Sequence, residues 1–429
     1  MGSGLGTLLF GAKAAHLAGP RHIRQLLYRS VWQRLPQRAR RAAAQRLIAA
    51  VAPRPTPSAI PRPPYIVVGM LTNTCGLGQS ARLCYEALRG VSSDVWGVDI
   101  TADIGQRQTL PSFAFRCGRH LSGPGTLIVH MNGDWLPTVM TNLGKRFVGG
   151  KYVVGVWHWE QETVAPSWKH GAACCHEIWA PSRFTTEAVR PALRRGQPLV
   201  TVPHPVAIAS RLASIDRRSP RSGPFTFLSM FETGSSVFRK NPHDLAAAFR
   251  LAISGRGDAR LLVKIGNQAA RTGYIDEAIA ALARTPNVDI VQGFLDEEQM
   301  IALYARADAY ILLSRSEGFG LPFVEAMLAG LPAIGIPWSG QADILTDGVS
   351  LPVRYRLIPT NDPHGIYDPH QRWASPDVEH AAQLMRGLIA DPGAARRMGL
   401  AARAHALTAF GPEAYVRNVA PRLNLEVRS

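Results

Sequence analysis

Short apolar runs bounded by turn residues recur along most of this chain, and segments of helical period separate them. The first is YIVVGM (Tyr65 to Met70), followed by glycines and a helical pattern from about Gln79. TLIVHM (126–131), KYVVGVW (151–157), EIWAP (177–181) and LVTVP (199–203) come next. A stretch rich in Arg, Ser, Pro and Gly (207–224) then interrupts the pattern as a linker. A second series opens with FTFLSM (225–230) and continues through RLLVKIG (260–266), NVDIVQG (287–293), DAYILL (308–313) and PAIGI (332–336). Continuous apolar strands alternating with helices predict parallel βαβ units. The predicted fold class is therefore α/β, with two Rossmann-like doubly wound domains, 65–206 and 225–405, facing a cleft. Open sheets of this kind bind ligands beyond the carboxyl ends of their strands, so the chemistry is expected there. Residues 406–429 form a last segment, in which PEAYVRNVAPRL (412–423) reads as a helix.

The first 64 residues differ in character. Ile23, Leu26, Leu27, Val31 and Leu35 recur at helical spacing from Arg21 to Leu35, with Arg24 and Arg34 intruding on the apolar face. A second short helix is predicted from Arg38 to Ala52, before six prolines between Pro53 and Pro64 that make a stiff linker. This segment holds eleven Lys/Arg and no acid, and so supplies +11 of the net +17. The basic excess thus describes a tail, with a nearly balanced body behind it. Three readings stay open: attraction to an anionic membrane surface, which is favoured; a solvated or packed basic extension; and an Arg-rich transit segment. Nucleic-acid binding is not expected, because the tail carries no recognised motif.

Length and composition narrow the class further. A chain of 429 residues, 46% hydrophobic and 18% charged, suits a two-domain globular protein. No stretch reaches the roughly 18 apolar residues of a membrane span. The Gly-rich opening lacks the charged start of a secretory signal. Five irregularly spaced cysteines, including the adjacent Cys174 and Cys175, suit buried thiols in a reducing cytosol better than disulfides or zinc.

The most informative stretch is SRSEGFGLPFVEAMLAGLPAIGIPWSG (314–340). It leaves a buried strand, turns through Gly318 and Gly320, and enters a helix near Leu321. Exposed amides at a helix start favour an anion, above all a diphosphate. Glu317 precedes the turn and Glu325 follows seven residues later, one placed to accept from sugar hydroxyls and the other to grip a ribose diol. In SSVFRKNPHDLAAAF (235–249), Arg239 and Lys240 precede a helix beginning near Pro242, where cations can neutralise a diphosphate. Lys264 is an unusual residue for a buried strand and can either enter the same cleft or snorkel out.

With its paired glutamates, the following Ala326-Met327 and Gly330-Leu331-Pro332, this sequence resembles glycosyltransferase family 4. The resemblance implies the GT-B fold, with the final helix crossing back to the first domain. It also implies that Glu317 binds the donor sugar, that Glu325 binds the ribose, and that Gly318, Phe319, Gly320 and Leu321 offer amides to the sugar or diphosphate. Lys240 and Arg239 become the cations of the leaving group, although the family commonly places the Arg five positions before the Lys, where this chain has Ser235. Gly293 and Phe294 join Lys264 on the donor side. Gly76 and Gly78 in NTCGLGQSAR match the glycine loop after strand one; the third glycine of a dinucleotide fingerprint is replaced by Ala81. In GVWHWEQETVAPSW (155–168), His158 matches a cleft histidine beside the transferring sugar, with a core histidine in an aromatic cluster as the alternative. Trp157, Trp159 and Trp168 offer faces to sugar rings. Asn132, Trp159 and Glu160 are expected on the acceptor side, with Asp134 and Glu162 as further cleft carboxylates.

The resemblance thus implies a retaining hexosyltransferase, without a dedicated base and, in the absence of an Asp-x-Asp motif, without a metal cofactor. The co-substrate would be a GDP- or UDP-hexose, and the Trp-His-Trp-Glu run tilts the reading towards mannose. A glycan or lipid-linked acceptor in bacterial polysaccharide or envelope synthesis is expected, with the protein cytoplasmic and peripheral on the inner membrane face. The alternatives are a small soluble acceptor and a non-catalytic nucleotide-binding scaffold.

Overall fold

The computed structural model describes residues 37–206, 208–217, 222–234, 236–254, 257–266, 273–363 and 365–426, with the side chains of 37–42 excepted. The helix expected at Arg21–Leu35, Ser235, and positions 207 and 218–221 of the linker lie outside these residues.

The first domain is built on a six-stranded parallel sheet. Its strands are β1 (Tyr65–Gly69), β2 (Val95–Asp99), β3 (Gly125–His130), β4 (Lys151–Val156), β5 (Glu177–Ala180) and β6 (Leu199–Thr201), in the spatial order β2-β1-β3-β4-β5-β6. β1 and β3 are buried along their whole length, because helices cover both faces. Helix α1 (Gln37–Val51) turns Ala44 and Ala49 inward and leaves Leu47 and Val51 exposed. Helix α2 (Gly76–Arg89) starts three residues earlier than the sequence pattern implies. Gly76 and Gly78 therefore lie inside its first turn, with Cys75 as the capping residue.

The second sheet contains β7 (Phe225–Glu232), β8 (Ala259–Gly266), β9 (Val288–Gln292), β10 (Ala309–Leu312), β11 (Ala333–Gly335) and β12 (Ser350–Pro352), in the order β12-β11-β10-β7-β8-β9. All neighbouring pairs are parallel. Counted from β7, this is the 3-2-1-4-5-6 order of the dinucleotide-binding fold, with its switch point between β7 and β10. In the first sheet the switch point falls between β1 and β3.

Three features link the halves. The linker is not wholly irregular, since Ala209–Ala213 forms a short helix. Helix α3 (Pro412–Leu423) packs its Tyr415, Val416, Val419 and Leu423 into the apolar cluster of the first domain with Tyr65 and Leu88. Tyr65 donates its hydroxyl to Leu423 O at 3.1 Å, and Arg422 pairs with Glu177 at 3.0 Å. The third link was not anticipated. An antiparallel hairpin of β13 (Tyr355–Pro359) and β14 (Arg372–Pro376) leaves the second domain and meets the loop after β4.

Candidate active site

The residues that follow β7 and β10 meet at the switch point of the second sheet. Ser236 caps a single helical turn, Val237–Lys240, that Asn241 ends in a left-handed conformation (φ 56°). This turn aims Lys240 Nζ at Glu317 Oε1, 2.6 Å away. Arg239 Nη1 lies 2.9 Å from Glu317 Oε2, and the hydroxyl of Ser314 donates to Oε1 at 2.6 Å. Burial alone would raise the Glu317 carboxyl, but Arg239 and then Lys240 override it and hold it at about 2. Lys240 is lowered, by burial and by the neighbouring Arg239, which outweigh the attraction of Glu317.

Arg239 does not occupy the open position that the sequence reading gave it. Its side chain is 4% exposed. It donates to Ser316 O, lies over the Tyr367 ring at 5.9 Å, and approaches Glu160 of the first domain at 3.8 Å. These contacts make it a brace that fixes Glu317, while Lys240 is the more exposed of the two cations.

Helix α4 (Leu321–Leu328) begins after the turn Gly318-Phe319-Gly320 that follows Glu317. Gly320 adopts φ 111°, a conformation that costs glycine nothing and lets the chain enter the helix sharply. The N–H groups of Gly318, Phe319, Gly320 and Leu321 find no acceptor among the described residues. Orphan donors of this kind mark a helix start and attract anions. The Phe319 side chain is buried against His204 and Phe410, so only its backbone can face a ligand. One turn into the helix, Glu325 accepts from the Tyr304 hydroxyl at 2.7 Å. Burial raises the Glu325 carboxyl, with Tyr304 and Lys264 opposing. Lys264 itself donates to Glu232 at 3.0 Å, its side chain 12% exposed. Burial raises the fully buried Tyr310 hydroxyl, and Glu317 and then Glu325 add to the effect. Gly293 (φ 103°) and the exposed Phe294 follow β9, and the Gly293 N–H donates to Ile265 O at the end of β8.

The first domain contributes a histidine cluster. His158 Nε2 lies 2.8 Å from His204 Nε2, and its backbone N–H donates to Asn132 Oδ1 at 2.9 Å. Asn132 thus positions the His158 loop and does not present its carbonyl to an acceptor. His130 Nδ1 meets the Ser80 hydroxyl at 2.7 Å. Burial lowers all three imidazoles, His158 to about 4 and His130 and His204 well below the usual histidine value, with mutual repulsion adding to the effect on the latter two. They are neutral at physiological pH. His204 and His130 were invisible as partners in the sequence, because each merely ends an apolar run. A side chain on Gly78 would strike Asn73 O and Met70 O, so this glycine serves loop packing; Gly76 faces open space. Trp157 and Trp168 are core residues, packed edge to face at 5.4 Å, and offer no face to a sugar. Trp159 remains half-buried, its indole N–H held by Thr163 O. Burial raises Asp134 to about 6.

The loop after β4 clasps the second domain with four consecutive residues. Glu160 O accepts from Ser316 Oγ. Gln161 exchanges two bonds with the Asp368 backbone, each of 2.9 Å. Glu162 pairs with Arg372 at 2.6 Å, and Thr163 N–H donates to Gln371 Oε1 at 2.8 Å. Gly318 O accepts from Ser182 and Thr185 of the first domain, so the turn after Glu317 is held from both sides. Glu160 and Glu162 are therefore interdomain contacts and not open acceptor carboxylates.

Comparison with known proteins bears on the family and the fold. Residues 230–405 match the family model described as glycosyl transferases group 1. Glycogen synthase of Mycobacterium tuberculosis is 30% identical over 43% of this chain and 39% of its own length. A GDP-mannose-dependent monoacylated alpha-(1-6)-phosphatidylinositol monomannoside mannosyltransferase of Corynebacterium glutamicum is 28% identical over 39% of this chain and 40% of its own. The chain thus matches about two-fifths of the length of these curated relatives. Among solved structures, Anabaena HepE in complex with UDP and glucose superposes with a TM-score of 0.59 at 13% identity, covering 85% of this chain and 100% of that one. A glycosyltransferase from Rickettsia africae gives 0.58 at 14%, covering 82% and 95%. At such identities the likeness concerns the fold.

Proposed function

From the premise that this chain is a GT-B protein of the group 1 glycosyl transferases, we propose that it moves a hexose from a nucleotide-sugar to a glycan or lipid-linked acceptor. One observation carries the reading: a lysine, a carboxylate and a helix start whose amides have no acceptor among the described residues converge at the switch point of the second sheet, where such folds bind phosphorylated ligands. A diphosphate placed there meets the amides of Gly318 to Leu321 and the ammonium of Lys240. Glu317, ionised throughout the physiological range, accepts from hydroxyls of the donor sugar, and Glu325 from the ribose. The neutral His158 faces this turn, since a side chain on Gly318 would lie 3.8 Å from its Cβ.

Transfer is proposed to retain the anomeric configuration. The bond from the anomeric carbon to the phosphate oxygen breaks, and the acceptor oxygen bonds that carbon from the same face. The departing phosphate oxygen takes the acceptor proton. Lys240 and the helix start stabilise the charge that builds on the leaving nucleoside diphosphate, so no metal is required. Mannose is the first sugar to test, with GDP and UDP both as candidate carriers. Leu47 and Val51, exposed one turn apart on α1 beside the basic tail, support peripheral binding to an anionic membrane, as bacterial polysaccharide or envelope synthesis would need. Vesicle sedimentation with and without residues 1–64 checks this part.

The test is a panel of GDP- and UDP-hexoses with lipid-linked and free-sugar acceptors, scored by release of nucleoside diphosphate. Release from at least one donor that depends on acceptor is expected. No release from any donor, together with no thermal stabilisation by any nucleotide, would overturn the assignment.

A further inference from the structure

The sole protein hydrogen bond to the Glu325 carboxylate among the described residues comes from Tyr304, a residue with no exposed surface. Tyr304 belongs to helix α5 (Glu297–Arg306) and Glu325 to α4, so the pair bridges two elements. Both helices are fastened at their carboxyl ends by one linker residue, Arg217. Its guanidinium donates to Tyr304 O and Ala307 O at the end of α5, and to Ala329 O at the end of α4. Cations at helix carboxyl ends satisfy orphan carbonyls and oppose the helix dipole. The fork therefore fixes the separation of the two helices, and with it the direction from which the Tyr304 hydroxyl reaches Glu325. The Phe323 ring of α4 meets Tyr310 of β10 edge to face, which leaves α4 little freedom to rotate.

We propose that Tyr304 is the positioning residue of the ribose subsite: its hydroxyl occupies Oε2 of Glu325 and directs Oε1 to the ribose diol. This rests on the reading of Glu325 as the ribose ligand. A free glutamate on a helix samples several rotamers, and ordering it would oppose nucleotide binding. A buried phenol that donates to one oxygen removes that cost in advance. It also leaves Oε1 without a donor among the described residues, so the site favours a ligand with hydroxyl donors over one without. Arg217 supports the arrangement from the linker, which ties the precision of the nucleotide site to the segment between the domains.

The experiment measures calorimetric affinities of UDP and GDP, and of their 2′,3′-dideoxy counterparts, for the full chain. The wild-type protein should prefer the better ribonucleotide over its dideoxy form by about tenfold or more, the scale of a charged hydrogen bond. In Tyr304→Phe that preference should fall to about threefold or less, through weaker ribonucleotide binding, with dideoxy affinity unchanged. Glu325→Gln should also lose it, and the double variant should lose no more than Glu325→Gln alone. Equal weakening of both ligands in Tyr304→Phe, or additive loss in the double variant, would overturn the positioning role and leave Glu325 as the ribose ligand. An intact preference in Glu325→Gln would instead overturn the ribose assignment itself.

Discussion

Glu317→Gln is the sharpest perturbation of the site, because it changes one charge and almost no volume. The carboxylate holds Lys240 at 2.6 Å and Arg239 at 2.9 Å, with Ser314 donating as well. An amide can accept from one cation only by turning its own NH₂ towards the other. Removing one partner of a buried ion pair costs about 3–5 kcal/mol, since a desolvated charge is left behind. The depressed acidity gives a second figure. A carboxyl moved from 4.5 to about 2 contributes about 3 kcal/mol at neutral pH, at roughly 1.4 kcal/mol per tenfold change. The two agree, and correspond to a melting shift of roughly 6–12 °C for a domain of this size. The sign with pH follows from the depression: the stabilisation is complete above about pH 4.5 and disappears as the pH falls through about 2. Calorimetric melting of wild type and variant at pH 7 and pH 4 is the assay. A large deficit at pH 7, only slightly reduced at pH 4, is expected. A variant melting within about 2 °C of wild type at pH 7 would refute the argument that Glu317 carries two buried cations.

Other outcomes follow from the same geometry. Lys240→Ala should lower turnover a hundredfold or more, as loss of a charge-stabilising donor does, while circular dichroism shows the fold intact; near-normal nucleotide release would remove it from the mechanism. The three histidines are held neutral by burial, so the unfolded chain takes up protons near pH 6.5 that the folded chain refuses. Stability should therefore fall as pH drops from 6.5 towards 4, and His204→Phe should flatten the decline; equal melting temperatures at pH 7.5 and 5.5 would contradict this. Arg372→Glu should leave the melting temperature nearly unchanged, because the Glu162–Arg372 pair is solvent-exposed. It should nonetheless slow turnover by loosening the clasp, with the charge swap Glu162→Arg, Arg372→Glu recovering the rate.

The fold was legible because burial on both sheet faces leaves a direct trace. Strands such as YIVVG and GTLIVH are apolar throughout, and each ends in a loop that the sequence marks with glycine or polar residues. The chain order of these runs then implied two doubly wound halves. Glu317, Lys240 and Glu325 were readable because each lies a fixed short distance beyond a strand, where local sequence decides position. What tertiary packing decides was not readable. Arg239 and Lys240 are adjacent and chemically alike, yet one is buried as a brace and the other is more exposed. His130, His158 and His204 come from three different strand ends, and only parallel strand alignment brings them together. The hairpin Tyr355–Pro376 carries only a weak alternation, and its partner loop, whose tryptophans suggest a sugar platform, is largely a domain contact.

Every role proposed for the site requires a nucleoside diphosphate sitting between the Lys240 turn and the start of α4. Hydrogen exchange of the full chain with and without UDP and GDP measures this directly. Slowed exchange confined to 236–242 and 316–326, and lost in Lys240→Ala, is the predicted result. Protection elsewhere with these two segments unchanged, despite demonstrable nucleotide binding, would contradict it.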